Sequence, residues 1–320
     1  MPATSASASG KIILFGEHAV VYDRPAIAVP VTQVRAKVVV MPDPRLPPGD
    51  VLLDAPDIGL RASYRDLPDI HPLRLLVETI QQHLGGIRFP AMQVRITSTI
   101  PVAAGLGSSA AVSTAMARSI ASYVGRTLTP EEVSQIAYTI EKAYHGTPSG
   151  IDNTVIAYAK PVFYQRNRPI EFLLPAAPFT LVIADSGLQS STAVVVRDVR
   201  QAWQRDPSRF EDLFDAIAGI VTAARRAIEQ GPVQALGALM VENHRHLQTM
   251  GVSCPQLDHL VDVAMQAGAL GAKPSGAGRG GNVIALVAPE AAPHVAAALQ
   301  TAGANRTITT VILTPTRENR

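Results

Sequence analysis

The sequence predicts an α+β protein of two domains, on three observations. The chain has 320 residues, which is one large or two ordinary domains. Its first half is rich in short apolar runs of strand type with helical stretches among them, and its second half is mostly helical with a few strands. The texture changes near 165–175, so the domains are expected over 1–170 and 171–320.

Residues 1–10 are small and polar and read as loose, at least at their start. Apolar runs over 11–15, 26–31 and 34–41 read as strands. Residues 42–60 are rich in Pro, Asp and Gly and read as a turn region. A helix is predicted over 72–84, and strict alternation over 92–97 predicts a half-buried strand. From 108 to 124 small and apolar residues recur at helical spacing, with Gly125 where a C-terminal cap belongs. Thr129-Pro130-Glu131-Glu132 supplies an N-cap, a proline at N1 and a glutamate at N3. This capping box opens a helix running to about Tyr144. A strand over 179–184 precedes an Asp-Ser-Gly turn. Amphipathic helices follow over 208–230, 233–249 and 256–267, then strands over 282–287 and 307–313 around a helix near 290–301.

Hydrophobic residues make up 47% and charged residues 17%, which supports packed cores and argues against disorder. Lys and Arg number 28 against 26 Asp and Glu, a net charge of +2, too small an excess for a nucleic-acid face. Cys254 is the only cysteine, so an internal disulfide, a CxxC pair and a Cys/His metal cluster are excluded. The apolar runs fall well short of the roughly 18 residues of a membrane span. The start lacks a basic segment and is expected to be mature sequence, which places the protein in the cytoplasm.

Gly105-Leu106-Gly107-Ser108-Ser109-Ala110 is the strongest local feature. Glycines permit positive φ and close approach of backbone to a ligand. A helix starting at Ser108 presents open N–H groups and a positive dipole end, which suit phosphate. A glycine turn with a serine cap explains the same letters. No Gly-Lys-Ser/Thr follows, so it is not a Walker loop. Residues 276–281, GAGRGG, match GxGxxG literally, but the apolar strand-like run after them excludes the dinucleotide fingerprint, which needs a helix there. Lys11 and His18 flank an apolar strand, Asp152 lies in PSGIDN and Glu141 ends the capped helix. Taken singly, a solvated strand end, a core histidine, a loop aspartate and a surface helix charge account for them.

The ordered set changes the reading. KIILFGEHAVVYDRPAIAVPV, PVAAGLGSSAA, HGTPSGIDN and KPSGAGRGGNVIAL, with DSGLQSST and MGVS, resemble the GHMP kinases in order and spacing over nearly the whole chain. Within them the segments are most similar to the mevalonate kinases. The resemblance implies a ribosomal-protein-S5-like N-terminal domain, a ferredoxin-like C-terminal domain and an active site between them. It implies transfer of the γ-phosphoryl of ATP to the 5-hydroxyl of mevalonate. By motif match, Asp152 is the catalytic base and Lys11 the cation beside it. Ala104, Gly105, Leu106, Gly107, Ser108 and Ser109 cradle the ATP phosphates. Ser109 and Glu141 are the Mg²⁺ ligands. Glu17, His18, Ser149 and Thr192 line the mevalonate pocket, with His18 a donor to the substrate carboxylate. A homodimer is compatible with the C-terminal helices.

The departures are Ala103 for a motif glycine, Arg279 for a glycine in the third motif, Asn282 for a frequent cysteine and Ala193 for a basic residue. Arg279 is expected to restore positive charge near the phosphates. Competing readings are a kinase of sugars, homoserine or phosphomevalonate, a decarboxylase of the mevalonate branch, and a non-catalytic nucleotide binder. Ala19-Val20-Val21 after Gly-Glu-His disfavours a sugar kinase, the Lys11 and Gly-Glu-His set disfavours the decarboxylase, and retained Lys11, Ser109, Glu141 and Asp152 disfavour the binder.

Overall fold

The structure is a computed structural model that describes residues 2–101, 105–145 and 148–314. In chain order its first elements are β1 (Thr4–Phe15), β2 (Ala26–Pro42), β3 (Val51–Ala55), β4 (Leu60–Ser63), α1 (Pro72–His83), β5 (Met92–Ser98), α2 (Ser108–Tyr123), α3 (Pro130–His145) and α4 (Ile151–Tyr158). There follow β6 (Val162–Tyr164), β7 (Glu171–Phe172), β8 (Phe179–Asp185), α5 (Thr192–Arg205), α6 (Pro207–Gln230), α7 (Ala235–Met250), α8 (Pro255–Gln266), β9 (Gly271–Ser275), β10 (Asn282–Val287), α9 (Ala292–Thr301) and β11 (Arg306–Ile312). Two compact units divide the chain: residues 1–11, 34–102 and 106–159 form the first, and residues 12–33, 103–105 and 160–320 the second.

In the first unit β5 lies parallel to β3 and antiparallel to the later half of β2, while β4 closes a hairpin on β3. The inward residues Val38, Val40, Leu53, Val94 and Ile96 alternate along these strands and are buried. α2 packs against α1, α3, α4 and β5. Its run of Ala, Ser and Thr, nearly all buried, lets neighbouring backbones come close. The capping box forms as expected: Thr129 N–H donates to Glu132 Oε2 at 2.7 Å and Glu132 N–H to Thr129 Oγ1 at 3.2 Å.

The second unit holds an antiparallel sheet in the order β11-β8-β10-β9. Leu257, Leu260, Val295 and Leu299 of α8 and α9 pack on Val182, Val283 and Ala285 to form a continuous core. α7 lies along β9, and two glycines set that spacing. A Cβ on Gly237 would stand 2.2 Å from the Leu270 carbonyl oxygen, and one on Gly271 would stand 2.1 Å from that of Gly237. The turn after β1 is pinned to α6: Tyr22 stacks on Phe214 with centroids 4.2 Å apart, and Arg24 reaches Glu211 at 2.6 Å.

Several sequence expectations need correction. Residues 4–10 are not loose, because β1 begins at Thr4, whose hydroxyl donates to Ser119 O at 2.9 Å. The turn region 42–60 contains β3, and Asp50 just before it accepts from the Ser63 hydroxyl of β4 at 2.6 Å and organises the hairpin. β2 runs unbroken where two strands were read. The helices α4 and α5 and the strand β9 were not foreseen. The glycine-rich 276–281 is followed by strand β10, in keeping with rejection of the dinucleotide motif.

Candidate active site

In the first unit the structure brings Lys11 and Asp152 together. The Lys11 ammonium lies 2.9 Å from Asp152 Oδ1, with the lysine buried and the aspartate side chain 31% exposed. Lys11 is anchored at its backbone, where its N–H donates to Leu106 O at 3.0 Å. Asp152 occupies the first turn of α4, which Gly150 opens at φ 93°. The positive end of a helix favours an anion there. Three contacts seat α4: Asn153 Nδ2 donates to Ser134 Oγ at 2.8 Å, the Thr154 hydroxyl donates to Gly150 O at 2.7 Å, and Arg118 donates to Ala157 O. Ser149 Oγ accepts from Ile151 N–H at 3.4 Å, so this residue shapes the start of α4.

The glycine loop meets the same pair. Gly107 has φ 73° and serves as the N-cap of α2 without a side-chain cap. A Cβ there would stand 2.7 Å from Ile156 Cδ1 and 3.0 Å from Lys11 Cγ. Bare backbone at Gly107 is therefore what lets the Lys11 stem pass beneath the loop. Ser108 and Ser109 form the first helical residues, half-buried, while Leu106 is buried and Gly105 exposed. Ala104 and Ala103 lie outside the described residues. Glu141, buried in the last turns of α3, and Ser109 offer oxygen donors of the kind Mg²⁺ takes. No cluster of three or more His, Cys, Asp or Glu suited to a metal occurs among the described residues, so phosphate oxygens and water would complete such a shell.

In the second unit Glu17 and His18 are both buried. The Lys273 ammonium donates to Glu17 Oε1, and to Pro274 O at 2.7 Å. His18 sits at φ 61°, ψ −51°, a conformation that β-carbon residues rarely adopt. Its Nε2 lies 2.9 Å from Ala277 O, which can only accept, so Nε2 carries the proton. Burial pushes the His18 pKa down to about 4, against that hydrogen bond and aided by the Arg279 charge. A neutral ring with Nε2–H engaged leaves Nδ1 as an acceptor. The ring thus presents an acceptor at Nδ1, where the sequence leads one to expect a donor. Thr192 is exposed at the start of α5.

Arg279 takes φ 55°, and its guanidinium reaches Asp198 of α5 at 2.6 Å and Gly251 O at 3.2 Å. It straps the third-motif loop to its own unit, with its charge paired to Asp198. Residues that sequence reasoning missed are Asn153, which seats the aspartate helix, and Lys273 and Ser275 of β9. Both β9 residues stood inside the quoted motif, but nothing in the letters singled them out.

The GHMP kinases N terminal domain family matches residues 73–160 and the GHMP kinases C terminal family matches residues 224–305. The mevalonate kinase of Thermococcus sibiricus is 35% identical over 96% of this chain and 95% of its own length. That of Pyrococcus abyssi is 35% identical with the same shares. The crystal structure of L. major mevalonate kinase in complex with R-mevalonate has a TM-score of 0.80 and 29% identity, covering 97% of this chain and 96% of that one.

Proposed function

The chain belongs to the mevalonate kinases of the GHMP kinase family, whose phosphoryl donor is ATP, and we infer that it phosphorylates the 5-hydroxyl of mevalonate to give 5-phosphomevalonate. The observation that carries the chemistry is the Lys11–Asp152 pair at 2.9 Å under the glycine loop.

Phosphoryl transfer asks a protein mainly to position groups and offset charge. Asp152 accepts the proton of the 5-hydroxyl as that oxygen bonds to the γ-phosphorus and the bond to the β-phosphate oxygen breaks. ADP leaves, and the proton passes from Asp152 to solvent. The Lys11 ammonium, held in place at its backbone and along its stem, offsets charge on the attacking and transferring oxygens. The open N–H groups at the start of α2, with residues 104–109, bind the phosphates. Ser109 and Glu141 would hold Mg²⁺, which would neutralise phosphate charge when bound. Glu17, His18, Ser149 and Thr192 bind mevalonate.

The same reading divides the chain at about 170, supported by family matches that fall on either side. It expects a cytoplasmic enzyme and is compatible with a homodimer. Among the described residues no helix is long and apolar enough to cross a membrane. Sedimentation velocity tests the dimer. The decisive assay is ADP release from Mg-ATP with mevalonate, phosphomevalonate, galactose and homoserine offered separately, with products weighed by mass spectrometry. Mevalonate-dependent ADP with a phosphorylated product and no CO₂ supports the reading. Turnover only with another acceptor overturns the pocket, and ATP binding without turnover favours a non-catalytic role.

A further inference from the structure

We propose that Lys273 is a positioning residue for the mevalonate pocket, holding Glu17 and, through it, the turn that carries His18. The proposal rests on the reading that Glu17 and His18 face the substrate.

Three links join the β9 end of the third motif to the end of the first. The Lys273 ammonium donates to Glu17 Oε1, Ser275 Oγ donates to Ile13 O at 2.7 Å, and His18 Nε2–H donates to Ala277 O at 2.9 Å. The three contributors are residues 273, 275 and 277. Lys273 and Ser275 lie two apart on β9 and so share one face of that strand, while Ala277 follows the positive-φ turn at Gly276 and contributes its carbonyl. Lys273 is 0% exposed and Glu17 1% exposed. A carboxylate that far from water needs a compensating cation and hydrogen bonds. Lys273 supplies them from a rigid strand packed by α7 and α8.

Among the described residues Glu17 is the carboxylate that the Lys273 ammonium pairs with. Burial lowers the pKa of His244 of α7, with the Lys273 charge adding to that and Asp258 opposing it, and its Nε2 lies 3.3 Å from Asp258 of α8, which also takes the Ser253 hydroxyl at 2.6 Å. Burial draws the Lys273 ammonium below its ordinary value, and the Glu17 charge opposes that pull. The ion pair is thus directed at the Gly16-Glu17-His18 turn. That turn contains a left-handed histidine whose conformation must be imposed by its surroundings.

The test is a double-mutant cycle on the full chain with Lys273→Met, Glu17→Gln and the two combined, read by steady-state kinetics with mevalonate and ATP varied separately. Lys273→Met is expected to lower kcat/KM for mevalonate by on the order of 10²-fold, as misplacement of a binding group does, with the KM for ATP kept within about threefold. The combined variant is expected to match Glu17→Gln alone, because Lys273 acts through that carboxylate. Equal losses toward both substrates, or additive losses in the combined variant, overturn the proposal. If Lys273→Met does not fold, the combined variant removes both buried charges and the comparison with Glu17→Gln still decides. If Glu17→Gln leaves mevalonate kinetics unchanged while Lys273→Met weakens them, the pocket assignment of Glu17 fails and the proposal falls with it. If Glu17→Gln weakens them and Lys273→Met does not, only the positioning role falls.

Discussion

Replacing Gly107 by alanine separates two things that the loop glycine does. The residue sits at φ +73°, where an L side chain costs about 1–2 kcal/mol. The added methyl would also stand 2.7 Å from Ile156 Cδ1, 3.0 Å from Lys11 Cγ and 3.3 Å from Lys11 Cε. The isoleucine methyl is a side-chain end and can rotate away. The lysine stem is held at one end by the backbone bond to Leu106 and at the other by Asp152. Ordinary carbon contacts lie at about 3.5–4.0 Å, so the stem must shift by roughly half an ångström or more. That shift loosens the 2.9 Å pair to which the proposed mechanism assigns the proton transfer. We expect kcat to fall by between ~10- and ~10²-fold, by analogy with ångström-scale misplacement, and stability by ~1–3 kcal/mol. Gly125→Ala is the control, since it has φ +74° and nothing within 4 Å of the added methyl. It carries the backbone strain without touching Lys11, so urea melts should show a loss while kcat stays at the wild-type value. Gly107→Ala with wild-type kcat, or equal kcat losses in both variants, would refute the reasoning.

Asp152→Asn should lower kcat by ~10²–10⁴-fold with ATP binding largely kept, since it removes the proton acceptor and leaves the loop; near-normal turnover removes Asp152 from that role. Stability should fall on acidification. The His18 pKa drops from 6.5 unfolded to about 4 folded, so the unfolded chain takes up the proton first and stability is lost as pH falls from 6.5 toward 4. The loss is on the order of 3 kcal/mol, and His244 shifts in the same direction. Urea midpoints at pH 7 and 4.5 check this, and a His18→Asn variant with an undiminished pH dependence counts against it. Arg279→Gly should leave the KM for ATP within about threefold and change stability by less than ~1 kcal/mol, because loss of a partly exposed ion pair is offset by relief of a left-handed arginine. A large, salt-dependent rise in that KM would restore the phosphate role.

Much of this architecture is legible in the sequence. The capping box at Thr129 and Glu132 is a local device and forms as written. The helices α1, α2 and α6 to α9 announce themselves by long apolar periodicity. β9 did not, because Gly271, Lys273 and Pro274 are poor strand formers. The sheet recruits them through close packing on α7 and an ion pair distant in sequence. α4 is eight residues long, too short for periodicity to speak, and its placement depends on Asn153 finding Ser134. The Lys11–Asp152 pair was reached through motif resemblance, since no local pattern relates residues so far apart in the chain. His18 shows the limit of that route: resemblance locates the residue, but which ring nitrogen is engaged follows from the Ala277 carbonyl, a backbone group that no side-chain motif encodes.

The facing glycines of α7 and β9 carry a lesson for protein engineering. Each Cβ would strike main chain, so no shrinking of a partner residue makes room for it. A library that varies Gly237 and Gly271 together will therefore find no rescuing pair. Recombination with another scaffold must carry the helix and the strand across as one block. Lys273 travels in that block, so a graft that splits it would misplace the cation even with every motif letter intact.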